Sequence, residues 1–228
     1  MTHDLDVAGA ERTEQTRRRS ITLGVAAREF GRHPSPWVLG LLTVAAVFAR
    51  TVQGDWRSSD AILPAVMIAL FPAYEWVIHV VVLHWRPRRI GALTIDSVLA
   101  RKHRLHHANP RDIPLLFIPW QALLWIVPAT VAISVFAFGR LGLGLTYLVT
   151  ISAAGLVYEW VHFLVHTDYR PVSRAYRAVW QNHRLHHYKN EHYWFTVTSS
   201  GTADRLFGTY PDPTDVPISP TARALHAG

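Results

Sequence analysis

The chain has 228 residues, no cysteine, fourteen histidines and a formal net charge of +7. Its length suits one domain or one compact membrane bundle, and the missing cysteine excludes disulfides, thiolate metal sites, Fe–S clusters and cysteine nucleophiles. Half of the residues are hydrophobic and 17% are charged, which is apolar for a water-soluble fold, while the basic balance alone fits either nucleic acid or an anionic membrane surface.

Residues 1–35 form a polar arm with Arg12, Arg17, Arg18, Arg19, Arg28 and Arg32, and no signal-peptide core. Disorder is expected over about 1–18. Four apolar segments follow. The first, Pro36 to Val52, is interrupted by Arg50; the second, Ala61 to Trp85, carries only Glu75. The third, Ile113 to Phe138, has no charge, and the fourth, Leu141 to His166, has only Glu159. The last three are long enough to cross a bilayer as helices, and the first is shorter, with little tilt or a partly re-entrant course. Lysine and arginine crowd the arm, the 86–112 loop and the tail beyond His166, whereas the other two connections share Arg50, Arg57 and Arg140. By the positive-inside rule both termini and the middle loop are cytoplasmic, and Trp37, Trp56, Trp85 and Trp120 sit where interfacial aromatics do. With no DNA-binding motif, the charge follows topology, and no nucleic-acid partner is expected. The proline-rich stretch 207–220 reads as extended chain that covers a site or lies free.

Ten histidines fall into four groups: His79 and His84; His103, His106 and His107; His162 and His166; His183, His186 and His187. Only His3, His33, His192 and His226 lie outside them. Positions three and four apart share a helix face, so each HRLHH box predicts three converging rings, as does the pair His162 and His166. His79 and His84 diverge on a regular helix and meet only if each reaches its own metal or the helix end unwinds. All four groups lie at, or follow directly from, the cytoplasmic ends of the second and fourth spans. Tyr74-Glu75-Trp76 before the first group and Tyr158-Glu159-Trp160 before the third form a weak repeat. Two similar half-sites imply two metals, or one shared across a pseudo-symmetry. Ten ligands far exceed the roughly four of a structural zinc site, and imidazole also suits iron, copper and nickel. Glu75 and Glu159, inside spans, are candidates to orient ligand imidazoles or else to pair with an arginine in helix packing. Asp168 has the same candidacy, with a turn role preferred. Tyr193, Trp194 and Phe195 read as membrane-surface anchors before an entrance lining.

The order HxxxxH, HxxHH, HxxxH, HxxHH over about 60–210 resembles the fatty acid hydroxylase/sterol desaturase superfamily. His103-Arg-Leu-His106-His107-Ala-Asn-Pro110-Arg-Asp112, running to Pro119, is similar to the matching stretch of fatty acid 2-hydroxylases, as is the tail from His186-His187 through Phe195, Ser199, Asp204, Phe207 and Thr209. The resemblance implies an all-α fold: a four-helix transmembrane bundle over 36–210 with a cytoplasmic helical cap holding a dinuclear metal site, and a proline-rich tail over 211–228. It implies that all ten boxed histidines bind two iron ions, about five to each, with no separate general base; zinc can occupy such sites in purified protein but cannot do the redox step. It further implies O2-dependent hydroxylation of a fatty acyl or related lipid. Desaturation and carotenoid hydroxylation are alternatives on the same site, and a membrane metal transporter or sensor is the non-enzyme alternative. Residues 1–35 are too short for a cytochrome b5-like domain, so a separate redox partner (ferredoxin, or cytochrome b5-like with a reductase) is expected. The Arg- and Ala-rich composition points to a bacterial cytoplasmic membrane rather than endoplasmic reticulum.

Overall fold

A computed structural model describes residues 21–226. The disorder expected over about 1–18 falls outside these residues. Helix α1 (Leu23–Phe30) is capped by Thr22, whose hydroxyl accepts from Val25 N. Helix α2 (Pro34–Gln53) follows, with proline in its first turn. Next come a 3-10 turn (Ser58–Ala61), helix α3 (Ile62–Val77) and a π-helical turn (Ile78–Leu83) without a break. A two-stranded antiparallel hairpin, β1 (Arg88–Ile90) and β2 (Leu93–Ile95), turns at Gly91, whose φ is 60°. Helix α4 (Val98–Ala108) carries the first HRLHH box. Helices α5 (Trp120–Phe136), α6 (Leu141–His166), α7 (Arg174–Tyr188) and the short α8 (Thr202–Leu206) complete the chain. The fold is thus all-α apart from the hairpin, which sequence periodicity did not indicate.

Among the described residues, four stretches are long and apolar enough to cross a membrane: Pro34–Gln53, Ser58–Leu83, Ile113–Phe136 and Leu141–His166. The first is a continuous helix of 20 residues rather than a shortened or re-entrant one. The third begins as a 3-10 turn (Ile113–Leu116), and its α-helix starts only after Pro119. Val44, Phe48, Ile68 and Leu124 on the outer faces are exposed, as side chains solvated by lipid should be.

Small residues set the helix spacing, as they must where lipid competes for apolar surface. Helix α2 packs along α6 more extensively than any other pair. There Thr43 Oγ1 donates to Ser152 Oγ at 2.9 Å, and Leu39 packs over Gly155. Between α5 and α6, Gly144 faces the Ser134 carbonyl so closely that a Cβ would stand 1.7 Å from that oxygen.

The two ends of the bundle differ in chemistry. At one end, Arg50 reaches Asp60 at 2.9 Å and Asp55 at 3.1 Å, while Arg140 reaches Asp55 at 3.0 Å and also Asp60. This network ties the α2–α3 connection to the α5–α6 connection and neutralises the charge noticed inside the first span. At the other end, Phe163, fully buried, packs with Phe117, Phe30 and Leu116 under α1. Burial of such a phenylalanine contributes about 1.5–3 kcal/mol. This apolar layer supports the histidines.

Candidate metal centre

All ten boxed histidines meet at that end of the bundle, in two groups of five. One comprises His79, His84, His103, His107 and His186; the other His106, His162, His166, His183 and His187. Within each group every residue offers a ring nitrogen within 4.8 Å of the others. The boxes do not converge as units, which corrects the expectation of three rings on one face. His103 and His107, four apart on α4, join the first group, while His106 points to the second. Helix α7 mirrors this: His183 and His187 join the second group and His186 the first. The 3.6-residue turn leaves i+3 and i+4 about 100° apart, on opposite flanks of the shared face, and that divergence separates two sites.

His79 and His84 do share a site, because the helix widens between them. His84 N donates to His79 O at 3.0 Å, an i→i+5 bond closing a π turn, and the two ring centroids are 5.0 Å apart. On the fourth span His162 and His166, four apart on regular α-helix, place their rings 4.9 Å apart without such a device. The first span-end pair carries one more intervening residue than the third, and the π turn absorbs it.

Backbone carbonyls orient the rings. His79 Nδ1 donates to Phe195 O at 2.6 Å, His107 Nδ1 to Ala222 O at 2.8 Å, His162 Nδ1 to Leu116 O at 2.9 Å and His186 Nδ1 to Tyr193 O at 2.8 Å. With the proton on Nδ1, a neutral ring presents a lone pair at Nε2. The Nε2 atoms of His79 and His107 both face His103 Nε2, at 3.2 and 3.1 Å. His183 Nε2 is likewise faced by His166 Nε2 at 2.8 Å and His187 Nε2 at 3.0 Å. Two imidazole nitrogens bound about 2.0–2.1 Å from one ion lie about 2.9–3.4 Å from each other, which is this spacing. His84 Nε2, His186 Nε2 and both nitrogens of His106 are buried without a protein partner. Converging lone pairs with too few protons between them suit a cation, so the residues fit a pair of metal ions bound through nitrogen alone.

Burial, and then repulsion among neighbouring rings, holds His103, His106, His107, His183, His186 and His187 well below the ordinary histidine pKa of 6.5. These rings are therefore neutral at physiological pH, the form that ligates.

Among the described residues, Glu75 and Glu159 hydrogen-bond to no ligand ring and pair with no arginine. Glu75 accepts from Val197 N at 2.5 Å, Thr198 N at 3.1 Å and Thr198 Oγ1 at 2.6 Å. Glu159 accepts from Ile118 N at 2.8 Å and from Ser35 Oγ. Each carboxylate thus grips the segment whose carbonyl, Phe195 O or Leu116 O, receives the proton of the histidine one turn further along its own helix. Asp168 is bound to Arg111 at 2.7 Å on the surface, with no hydrogen bond to a histidine among the described residues, so it sits as a loop residue.

Phe195, Asp204 and Thr209 belong to the stretch that carries the family resemblance, but their roles were not legible beforehand. Asp204, fully buried, accepts from Phe195 N at 2.8 Å, Thr196 N at 3.0 Å and Thr209 Oγ1 at 2.8 Å, so it holds the first half of the 195–198 loop whose second half Glu75 holds. Trp194 is buried with a φ of 55° rather than anchored at a membrane surface, and its N–H donates to Thr209 O at 2.9 Å. Phe195 packs its ring over His79, His84 and His186 at 5.1–5.4 Å. The tail, with a 3-10 turn at Pro213–Asp215 and further turns over 220–226, returns over the first group: Ala222 O holds His107, and His226 Nε2 donates to His84 O at 3.0 Å. No sign of these roles stood in the sequence, because most of them depend on backbone carbonyls and N–H groups at one end of the contact.

Among comparisons with known proteins, the fatty acid hydroxylase family model matches residues 64–209. No curated protein and no solved structure gives a match. The matched stretch runs from the second apolar span through every boxed histidine to the loop-holding Thr209, more than half of the chain. With four membrane-length helices and a histidine cluster able to hold metal, the chain belongs to the fatty acid hydroxylase family, whose members are membrane oxidoreductases acting on lipids.

Proposed function

We propose that this protein is an O2-dependent hydroxylase of a fatty acyl or related lipid, using two iron ions held by the ten boxed histidines, five to each. The observation that carries this reading is the pair of five-nitrogen groups at one end of an apolar bundle, where a lipid chain and an oxidising centre can meet. When bound, the metal pair supplies O2 activation and oxidation of an unactivated C–H bond. The net reaction takes the lipid, O2, two electrons and two protons to the hydroxylated lipid and water.

The chain's own residues position and dry the site. His79, His107, His162 and His186 are fixed in one tautomer by their carbonyl acceptors, leaving Nε2 for metal. Phe195 covers the first group and keeps water from His79, His84 and His186. No side chain is assigned as a separate general base. The histidine-bearing end faces the cytoplasm in this reading, with both termini on that side in a bacterial cytoplasmic membrane, as the arginine distribution favours. Electrons come from a separate redox protein. Ligands gathered at one bundle end, instead of along a mid-membrane path, argue against a transporter.

The test is mass spectrometry of total lipids from a host expressing the wild type beside a His186→Ala control. A lipid class gaining one oxygen only with the wild type is the expected result. Loss of two hydrogens would replace hydroxylation by desaturation, and purified protein with fewer than about one metal per chain would overturn the dinuclear assignment.

A further inference from the structure

Cations gather on the outer face of α7. Arg111, Arg170, Arg177 and Arg184 line a groove that runs on, past Trp180, to Lys189 and Tyr210. Asp168 is the only carboxylate in its lining, and it is held by Arg111. Among the described residues no carboxylate pairs with Arg170, Arg177 or Arg184. Arg184 lies over Trp180 at 4.6 Å and Tyr188 at 5.3 Å, forming a cationic ledge with aromatic flanks.

The groove backs directly onto the second histidine group. Thr167 and Asp168 in its lining follow His166, and Arg184 follows the fully buried His183, whose ring points inward. One helix, about 10–12 Å across with its side chains, separates the groove from the site. The reaction proposed above consumes two electrons per O2, and the cysteine-free chain offers no thiolate redox centre to store them.

We propose that this groove docks an acidic, soluble one-electron carrier protein, which passes electrons through α7 to the second histidine group. The inference rests on the hydroxylase reading for its purpose. Each turnover oxidises two reduced carriers by one electron apiece, and those two electrons, with two protons from solvent, leave as the water formed beside the hydroxylated lipid. Arg177 and Arg184 stand on α7, about 22 Å long, with Lys189 at its C-cap and Arg111 and Arg170 on adjoining loops, a spread that matches an extended acidic face. A single lipid phosphate would instead call for converging donors. Trp180 and Tyr188 supply the aromatic centre that such interfaces use.

The experiment is binding of two probes, a plant-type [2Fe–2S] ferredoxin and the soluble haem domain of cytochrome b5, to metal-loaded protein in phosphatidylcholine nanodiscs. Wild type is compared with Arg170→Glu/Arg177→Glu and with the milder Arg170→Gln/Arg177→Gln, each checked for unchanged metal content. At least one carrier is expected to bind at about 20 mM salt, to weaken about tenfold or more with the Glu pair and partly with the Gln pair, and to be largely released by ~0.2 M salt. Failure of both carriers to bind wild type, or equal binding by the Glu pair, would overturn the proposal. So would a variant that loses affinity for phosphatidylglycerol nanodiscs while keeping the carriers, since the face would then be a headgroup site. Binding needs no turnover, so a carrier that docks on a protein yielding no oxidised lipid leaves the docking face standing and removes the hydroxylase reading instead.

Discussion

Glu75 stands four residues before His79 on the same helix and governs its ring without touching it. The carboxylate takes the N–H groups of Val197 and Thr198, and that grip sets Phe195 O 2.6 Å from His79 Nδ1. Glu159 does the same for His162 through Ile118 N and Leu116 O. Removing the carboxylate in Glu75→Ala leaves buried N–H groups unpaired, at a cost of about 1–3 kcal/mol, and should weaken metal retention about 10- to 100-fold. Glu75→Gln keeps one acceptor and should sit between. Chelator competition on the purified variants measures this; an alanine variant holding metal as tightly as wild type would refute the coupling.

The π turn makes an asymmetric prediction. Deleting Val81 turns the His79–His84 spacing into the i,i+4 spacing of His162 and His166, which a regular α-helix satisfies. Metal content should therefore survive the deletion. Inserting one valine after Val81 widens the spacing beyond what the turn absorbs, and should lose at least one metal per chain. Elemental analysis of both variants decides it, and the reverse ranking would mean that the turn serves something other than ring placement.

Assignment of His106 to the second group, away from its box neighbours, is testable by double-mutant cycles. His106→Ala should couple more strongly to His166→Ala than to His84→Ala, measured as zinc-dependent thermal stability. Coupling to His84 in place of His166 would reverse the assignment.

The depressed histidines also fix a pH dependence of the metal-free protein. Below the unfolded-state value near 6.5, the unfolded chain takes up protons that the folded one refuses, so stability is present above that pH and is lost as pH falls through it. The melting temperature of apoprotein should be level from pH 8 to 7 and fall steadily from 6.5 to 5. Bound metal should flatten the upper part of that fall by blocking protonation. An apoprotein equally stable at pH 5.5 and 7.5 would contradict the burial of neutral rings.

Gly144→Ala places a Cβ 1.7 Å from the Ser134 carbonyl, and backbone cannot yield there as a side chain would. The helices must separate, at a cost of at least about 1–3 kcal/mol. Gly40→Ala, where nothing lies within 4 Å, is the control, and the comparison is made by thermal unfolding in detergent.

How far these features were legible varied with their physical origin. The spans stood out because lipid demands about 20 apolar residues in a row, and the histidine boxes because ligand spacing follows helical period. The division of each box between two groups turns on the roughly 100° between i+3 and i+4, which only neighbouring helices convert into separate sites. The five-residue interval between His79 and His84 signalled an irregularity, and the structure supplied its form. Glu75 and Glu159 drew attention as intramembrane charges, yet their partners are backbone N–H groups that carry no sequence signature. For the same reason Ala222 was invisible, since its contribution is a carbonyl oxygen.

The exchange of His106 and His186 has a consequence for how the centre fills. Because α4 and α7 each give rings to both groups, neither helix can turn to suit one ion without carrying a ring away from the other. If the centre takes two ions, as proposed above, the first to arrive would organise most of the second binding place, and the second would arrive on a surface already set. Loading should be cooperative: at half the saturating metal, the population divides chiefly into empty and doubly filled molecules, with few of one ion each.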